Sequence, residues 1–600
     1  MDAFIAHIEG IFASHGDRLF ANLPSGPLTY AACLGEMNAY AALISGLAVQ
    51  TGDRALIVSS HDQATIVLFF TLLRSGITPV IADRAATLAE SLELVAVCRT
   101  NIVFCDENHP LCGASSGLDP DLAVVRLGAD GTAISAKLIA PPMSAKHAEG
   151  TAPARTPPAD GNQIAVLVLT SGTTSAPKAV ALTYENLRAQ LDIFRQVYGF
   201  DAETRLLNVL PLHHVDGLIR GPLAALWFGG SLHRPRPFSV QAAPDLLAAV
   251  SALGITHFIT VPAMLRIIER VGRDHPKAFS TASFRFVLSS ADLLDPALWR
   301  RVEETFGVRV VNAYGLSEVV CDALFAGPGD DTHKIGTLGK PVGCTARILD
   351  GAGNQVGDGE TGELVLSGPT VMSGYFGAPE ATARVLYDGA FHTGDYVRTD
   401  KHGNFEFVGR KKTAIVSAGF TIHPETATQV LSAMPGVHEA FAFGVPDANN
   451  GQRLVAAVVA APGHTVTAED AAAYCRSLLS PERSPREFRV VPSLPRGASG
   501  KVLLADLAKM MAEMPDVRGT VDVLSVAAAC FNVSVDKVSF ASTPFNTDGW
   551  DSLAHMTLIE TLEAAFDIQF SAMQIAQIMS LGDAHQFIGE HLALADGPRK

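Results

Sequence analysis

The stretch "VLTSGTTSAPKAVALTY", Val168 to Tyr184, runs an apolar strand into a knot of serine, threonine and glycine, then a single lysine, Lys178. Four hydroxyls, those of Thr170, Ser171, Thr173 and Thr174, lie on a turn with Gly172, a composition suited to phosphate oxygens. A Walker A loop needs G-x-x-x-x-G-K-[ST], so that backbone N–H groups wrap the phosphates and a terminal hydroxyl holds Mg²⁺. Here Pro177 stands in place of the second glycine and Ala179 in place of the hydroxyl. The stretch is therefore not read as a P-loop. On its residues alone it is another kind of phosphate cradle or a Ser/Thr-rich turn after a core strand.

The whole chain bounds the choice. Its 600 residues exceed one hydrophobic core and predict three or four domains. With 48% hydrophobic and 18% charged residues it is folded and globular. A net charge of −16 excludes non-specific nucleic-acid binding, so a polyanionic substrate must be met by a few local cations. "MDAFIAHIEG" at the N-terminus is acidic and reads as no secretory signal, and the apolar run "ATIVLFFTLL" is too short to span a bilayer. The eight cysteines have no C-x-x-C spacing; Cys105 and Cys112, the nearest pair, match no metal or redox pattern. All eight read as reduced thiols of a cytoplasmic protein.

Along the chain, helical periodicity alternates with β-branched runs ("RALIVSS", "TPVIADR") up to about residue 140, an α/β texture. A Pro/Ala/Gly-rich loop then feeds the strand "QIAVLVL", and further strands are predicted at "RLLNVLP", "THFITVP", "FRFVLSS" and "VRVVNAYG". From Gly336 to Gly409 short alternating strands punctuated by glycine predict an antiparallel β-rich subdomain. A second α/β unit follows to about Leu507, "MAEMPDVRGT" reads as a linker, and the remainder is mainly helical and acidic.

Four motifs in order give the first stretch a context. "LTSGTTSAPKAV" resembles the phosphate loop of the adenylate-forming superfamily, which includes acyl- and aryl-CoA synthetases, peptide-synthetase adenylation domains and firefly luciferase. "NAYGLSE" resembles its adenine and magnesium motif. By that likeness Tyr314 stacks on the base with Gly315 beside it, and Asn312 lies near the amino edge. Ser317 reaches the phosphates, and Glu318 holds Mg²⁺. "FHTGDYVRTDKHGNFEFVGRKK" resembles the ribose segment, implying Asp395 on the ribose hydroxyls, Arg410 near the same sugar and Lys412 as hinge. "LPRGASGKV" resembles the terminal motif, whose lysine, here Lys501, catalyses adenylation. "PLHHVDG" places His214 at the pocket-wall position, and "SSADL" sets Ser289, Ser290 and Ala291 on the other side of an acid pocket.

The resemblance implies an α/β fold: a large adenylation domain over 1–409 that includes the β-rich subdomain, and a small mobile lid domain over 410–510. A linker over 511–518 and an all-α four-helix carrier domain over 519–600 complete it. The last rests on "FNTDGWDSLAHMTLIETLEAAFDIQF", where Asp551-Ser552-Leu553 precedes an amphipathic helix striped by Leu558, Leu562 and Phe566. That segment resembles an acyl or peptidyl carrier whose serine, here Ser552, bears 4'-phosphopantetheine. The expected cofactors are thus ATP, Mg²⁺ and 4'-phosphopantetheine. Expected partners are a carboxylic acid, a phosphopantetheinyl transferase and downstream synthase or other carrier-dependent enzymes.

The expected reaction is ATP-dependent activation of a carboxylic acid as acyl-AMP with loss of pyrophosphate, then thioester formation on the chain's own or a partner's pantetheine arm. Fusing carrier to ligase raises the local thiol concentration. Two alternatives stand beside it: an acyl-CoA synthetase using free CoA, and a non-catalytic nucleotide-binding or scaffold module of a synthase. Departures from the family pattern are Ser175 and Ala179 for glycine, Tyr184 for histidine, Ala390 for tryptophan and Thr413 for an acidic residue; none removes a residue with a charge role.

Overall fold

The computed structural model describes residues 2–47, 49–112, 122–128, 133–138, 163–170, 177–411, 413, 415–417, 420–447, 451–479, 484–485, 487–496, 502–513, 523–531, 533, 535–544, 546–547, 550, 552–566 and 568–595. Two large sheets form the first part. In one, Arg54–Val58, Thr78–Ile81, Ile102–Asp106, Ala123–Leu127 and Ile164–Thr170 run parallel, with Ala133–Leu138, Lys178–Thr183 and Gly374–Tyr375 antiparallel at the edges. In the other, Leu19–Leu23, Ser231–His233, Arg205–Asn208, His257–Thr260, Phe286–Ser289 and Val310–Tyr314 are parallel neighbours. Strands such as RALIV and IVFCD are apolar on both faces, the signature of a parallel sheet sandwiched by helices. One apolar core joins the two sheets.

The helix Tyr184–Tyr198 begins where it does because of a capping box: the Thr183 hydroxyl accepts from the Asn186 N–H, and the Asn186 side chain returns to the Thr183 N–H. Asn186 Nδ2 also donates to the carbonyls of Pro369 (2.7 Å) and Val371 (2.9 Å), pinning the segment that leads to Tyr375. Gly199 ends the helix at φ 67°, a left-handed position.

The glycine-punctuated stretch folds as expected into a five-stranded antiparallel sheet of Thr345–Leu349, Gly362–Ser367, Leu386–Tyr387, Ala390–Thr399 and Phe405–Arg410. Gly374–Tyr375 leaves it to pair with Lys178–Thr183, a long-range exchange that alternation cannot reveal.

The small unit has its own five-stranded sheet, with strands from Ile415–Ser417 to Glu487–Val490 and the helices Pro424–Ser432, Ala468–Leu478 and Leu504–Glu513. The last helix runs to Glu513, three residues into the stretch read as linker, because Met511 packs into this unit's core. Beyond it the α-helices Val523–Phe531, Ser552–Phe566, Ala572–Gln577 and Leu581–Ala595 share an apolar core. Leu558 and Leu562 are fully buried there, and Phe531 stacks on Trp550 with ring centroids 4.5 Å apart.

That core extends onto Val240, Ala243, Ile267 and Val271 of the large unit. Arg270 pairs with the buried Glu563, and the Thr561 hydroxyl donates to the Pro492 carbonyl of the small unit at 3.0 Å. Arg266 of the large unit reaches Glu439 of the small unit at 3.1 Å. Among the described residues no helix is long and apolar enough to cross a membrane.

All eight cysteines are free thiols, as read, and Cys105 and Cys112 are brought close together. Their sulfurs lie 2.6 Å apart, because the turn after Ile102–Asp106 folds Cys112 back onto the strand.

Candidate active site

The parallel strands deliver side chains at their C-terminal ends, where ligands collect in open α/β sheets. Phe286–Ser289 and Val310–Tyr314 are adjacent, with Ser289 opposite Asn312, so Ser289, Ser290, Asn312 and Tyr314 come together. Gly315 is obligatory in the next turn: a Cβ there would sit 1.4 Å from the Cys321 carbonyl oxygen. The chain therefore doubles back tightly and places Ser317 and Glu318, both half-buried, in a short 3-10 helix.

Val320 closes this turn at φ 69°, ψ −72°, with the Cys321 N–H donating to the Val319 carbonyl at 3.0 Å. That is the strained form of the γ-turn, and a β-branched residue held there costs about 1–3 kcal/mol.

Two side chains meet at Asp395, one from a distant segment and one from the facing strand. The Tyr314 hydroxyl donates to Asp395 Oδ2 at 2.6 Å, and Arg410 Nε donates to Oδ1 at 3.2 Å. The hairpin explains the second contact, since Asp395 and Arg410 are cross-strand partners. Burial raises the Asp395 pKa above the usual carboxylate value, opposed by Arg410 and Tyr314. The Tyr314 phenol is pushed well up by burial and by the Asp395 charge, so it stays a donor.

Glu318 is fixed by a second tyrosine. Tyr375 donates to Glu318 Oε1 at 2.7 Å, and its ring lies under Lys178, whose Nζ is 4.9 Å from the centroid. A continuous run of contacts thus joins Lys178, Tyr375 and Glu318, and four residues before Glu318 stands Tyr314 with Asp395 and Arg410. Among the described residues there is no cluster of three or more side chains able to hold a metal. A lone carboxylate still fits Mg²⁺, which commonly takes one or two protein carboxylates and completes its shell with phosphates and water.

The acid-pocket candidates separate. His214 is exposed, at the N-terminus of the short helix Val215–Leu218. Ser289 and Ser290 are buried, the Ser289 hydroxyl without a hydrogen-bond partner, and Ala291 is exposed at a left-handed φ of 71°. Asn312 is buried and held by one hydrogen bond, its Nδ2 donating to the Thr337 carbonyl at 3.0 Å. Thr170 ends its strand, half-buried, with its hydroxyl 3.4 Å from the Lys178 carbonyl. Ser171, Gly172, Thr173, Thr174, Lys412 and Lys501 lie outside the described residues, and for Ser552 only the backbone is described, as the first residue of the helix Ser552–Phe566.

Sequence reasoning missed a buried polar cluster that reaches Ser290. Arg220, fully buried in a π-helical turn that also carries Pro222, pairs with Asp216 and Asp322 and donates to Ser290 Oγ at 2.6 Å. Tyr198 donates to Asp322 at 2.8 Å, and the Asp322 N–H donates to Gln190 Oε1. Burial opposes the Arg220 charge, but the two carboxylates overcome it and hold the pKa well up; burial raises that of Asp322 against the pull of Arg220. The available signal was an Asp and an Arg four apart inside the apolar run "VDGLIRGPLAALWF". Tyr375 offered no such signal.

Comparison with known proteins agrees with this geometry. The model of the AMP-binding enzyme family matches residues 12–376, and that of the AMP-binding enzyme C-terminal domain matches 429–501. The fold and site define an adenylate-forming α/β protein with a large N-terminal and a small C-terminal domain, and the chain belongs to the AMP-binding enzyme family.

Among its relatives, a sulfoacetate–CoA ligase of Cupriavidus necator is 37% identical over 350 residues, 58% of this chain and 67% of that protein. An oxalate–CoA ligase of Arabidopsis thaliana is 30% identical over 485 residues, 79% of this chain and 91% of that protein. ATP-bound MatB from Rhodopseudomonas palustris shares the fold with TM-score 0.74 at 24% identity, covering 85% of this chain and 99% of its own. Both family matches end by residue 501, so the four C-terminal helices fall outside them.

Proposed function

We propose that this protein activates a carboxylic acid with ATP as acyl-AMP and passes the acyl group to the thiol of free CoA. The observation that carries the reading is the run of contacts from Lys178 through Tyr375 to Glu318, joined by one tight turn to Tyr314, Asp395 and Arg410. It brings a cation, a metal-competent carboxylate, an aromatic ring and a buried carboxylate into one site. The relatives named as CoA ligases favour CoA over a carrier as acceptor.

In this reading Tyr314 stacks on adenine beside Gly315, and Asp395 accepts from the ribose hydroxyls with Arg410 at its other oxygen. Thr170, Ser171, Gly172, Thr173, Thr174, Ser317 and Lys178 hold the phosphates. Mg²⁺ on Glu318 supplies charge neutralisation that lets a carboxylate approach the triphosphate. The substrate carboxylate oxygen attacks the α-phosphorus, the α–β bridging bond breaks, and pyrophosphate leaves with the bridging electrons. Lys501 stabilises the charge that develops on the phosphoryl oxygens. The thiolate then attacks the acyl carbon and AMP departs. Lys412 is the hinge between the two steps. His214, Ser289, Ser290 and Ala291 wall a pocket for a non-amino-acid carboxylate.

A second reading has one observation in its favour: Ser552 opens a 15-residue helix in a helical unit beyond the family matches. There the acceptor thiol is a 4'-phosphopantetheine arm placed on Ser552 by a phosphopantetheinyl transferase.

ATP–pyrophosphate exchange across a panel of carboxylic acids tests adenylation, and no exchange with any acid, or exchange undiminished in Lys501→Ala, refutes it. CoA-dependent AMP release that survives Ser552→Ala supports free CoA. Acyl mass on the intact holo-protein that is lost in Ser552→Ala supports the carrier instead.

A further inference from the structure

Cys105 is the buried, next-to-last residue of the strand Ile102–Asp106, while Cys112, half-buried, lies in the short 3-10 turn that follows. Their sulfurs are 2.6 Å apart, well inside the separation of two non-bonded sulfurs and a little beyond the ~2.05 Å of a disulfide. Besides the Cys112 thiol, which donates to the Asp106 carbonyl at 3.2 Å, other groups hold the turn in this pose. The His109 N–H donates to the Asp106 carbonyl, the Cys112 N–H to that of His109, and Arg126 Nη2 to that of Cys112 at 2.6 Å. Asp106, between the two cysteines in sequence, is itself anchored by the hydroxyls of Ser59 (2.7 Å) and Ser60 (2.6 Å) and by the Ser60 N–H. Hydrogen-bonded backbone from Asp106 to Cys112 therefore presents the two sulfurs to one another.

From this geometry we infer that Cys105 and Cys112 are a redox modification site, closing to an intramolecular disulfide on exposure to a hydroperoxide. The gap is too narrow to admit a metal ion between the sulfurs, whose bonds to zinc would each need about 2.3 Å. The inference stands apart from the adenylation reading.

Cys112 is the sulfur an oxidant reaches first, since Cys105 is fully buried. The Cys105 S–H beside it and the Arg126 charge lower the Cys112 thiol pKa, while the same contact and burial raise that of Cys105. The Cys112 thiolate attacks one peroxide oxygen; the O–O bond breaks, leaving a sulfenic acid, and the other oxygen departs as hydroxide and is protonated to water. The Cys105 sulfur then attacks the sulfenic sulfur; its proton joins the departing hydroxyl and a second water forms. Two thiols and one hydrogen peroxide become one disulfide and two waters. The cysteines are oxidised by two electrons and the peroxide is reduced by two.

The full chain is treated with hydrogen peroxide, denatured, alkylated with a maleimide and digested with trypsin. Cys105 and Cys112 fall together in the tryptic segment 100–126, which holds no other cysteine. We expect this segment to be two hydrogens lighter and to take up no maleimide until a dithiol reductant restores both sites, with two of the eight thiols lost from the total. In Cys112→Ser the Cys105 thiol should remain alkylatable after the same treatment, and in Cys105→Ser Cys112 should proceed to sulfinic acid. The inference is overturned if the wild-type segment still takes up two maleimides, or if Cys112 becomes sulfinic while Cys105 stays a free thiol.

Discussion

Replacing Arg220 with methionine removes the cation that sits between two carboxylates, Asp216 and Asp322. In the native protein the guanidinium meets Asp322 through Nε at 3.0 Å and through Nη2, and meets Asp216 and Ser290 through Nη1. Asp322 has no exposed side-chain surface, whereas Asp216 retains 14% and can rehydrate. Most of the loss thus falls on Asp322, which among the described residues keeps the Tyr198 hydroxyl as its side-chain donor. Breaking a buried pair by removing one partner costs about 3–5 kcal/mol, because the other charge stays buried without compensation.

The cost depends on pH with a definite sign. The folded-state pKa of Asp322 is already raised by burial, and losing Arg220 raises it further. The folded state then binds more protons than the unfolded one between the two pKa values, so stability falls as pH rises through that window. The deficit of Arg220→Met is therefore small in acid and full once Asp322 would have to ionise. Urea unfolding read by the buried Trp227 and Trp299 at several pH values measures it. Adding Asp322→Asn removes the stranded charge and should recover most of the loss at high pH. A deficit below about 1 kcal/mol, or one equal at all pH values, would refute a charged Arg220–Asp322 pair.

Tyr375→Phe removes the donor that fixes Glu318, and the Mg²⁺ concentration for half-maximal ATP–pyrophosphate exchange should rise several-fold; an unchanged Mg²⁺ titration counts against Glu318 as the metal ligand. Tyr314→Phe deletes a hydrogen bond to a buried carboxylate worth about 1.5–3 kcal/mol, so the KM for ATP should rise roughly tenfold or more while the ring contribution persists. His555 is held neutral by burial, its pKa lowered from 6.5 to about 4. The unfolded state binds the extra proton between those values, so the helical unit should lose stability as pH falls from about 6.5 to about 4, visible in Trp550 fluorescence, and His555→Gln should flatten that dependence.

Local signals carried much of this fold. Uninterrupted apolar runs marked the parallel strands, and Thr183 before the helix Tyr184–Tyr198 behaves as its position suggests. Motif order brought Glu318, Tyr314, Asp395 and Arg410 toward one site, and hairpin register explains why the last two touch. What stayed hidden depends on closure over long separations. Arg220 meets Asp322 across 102 positions, and Tyr375 reaches Glu318 only because its segment changes sheet. The Asn312 amide also bonds the Thr337 carbonyl, a contact between residues 25 positions apart that the motif does not show. The thiol pair escaped because spacing along the chain says nothing of how a turn folds back.

The helix Pro262–Gly272 presents Arg266 and Arg270 one turn apart, and each arginine grips a different neighbour: Glu439 of the small unit and Glu563 of the helical one. The helical unit also leans on the small unit through Thr561 and Pro492. The three bodies are therefore geared. Any displacement of the small unit that parted Arg266 from Glu439 would also have to part Thr561 from Pro492, so the three bodies share their contacts.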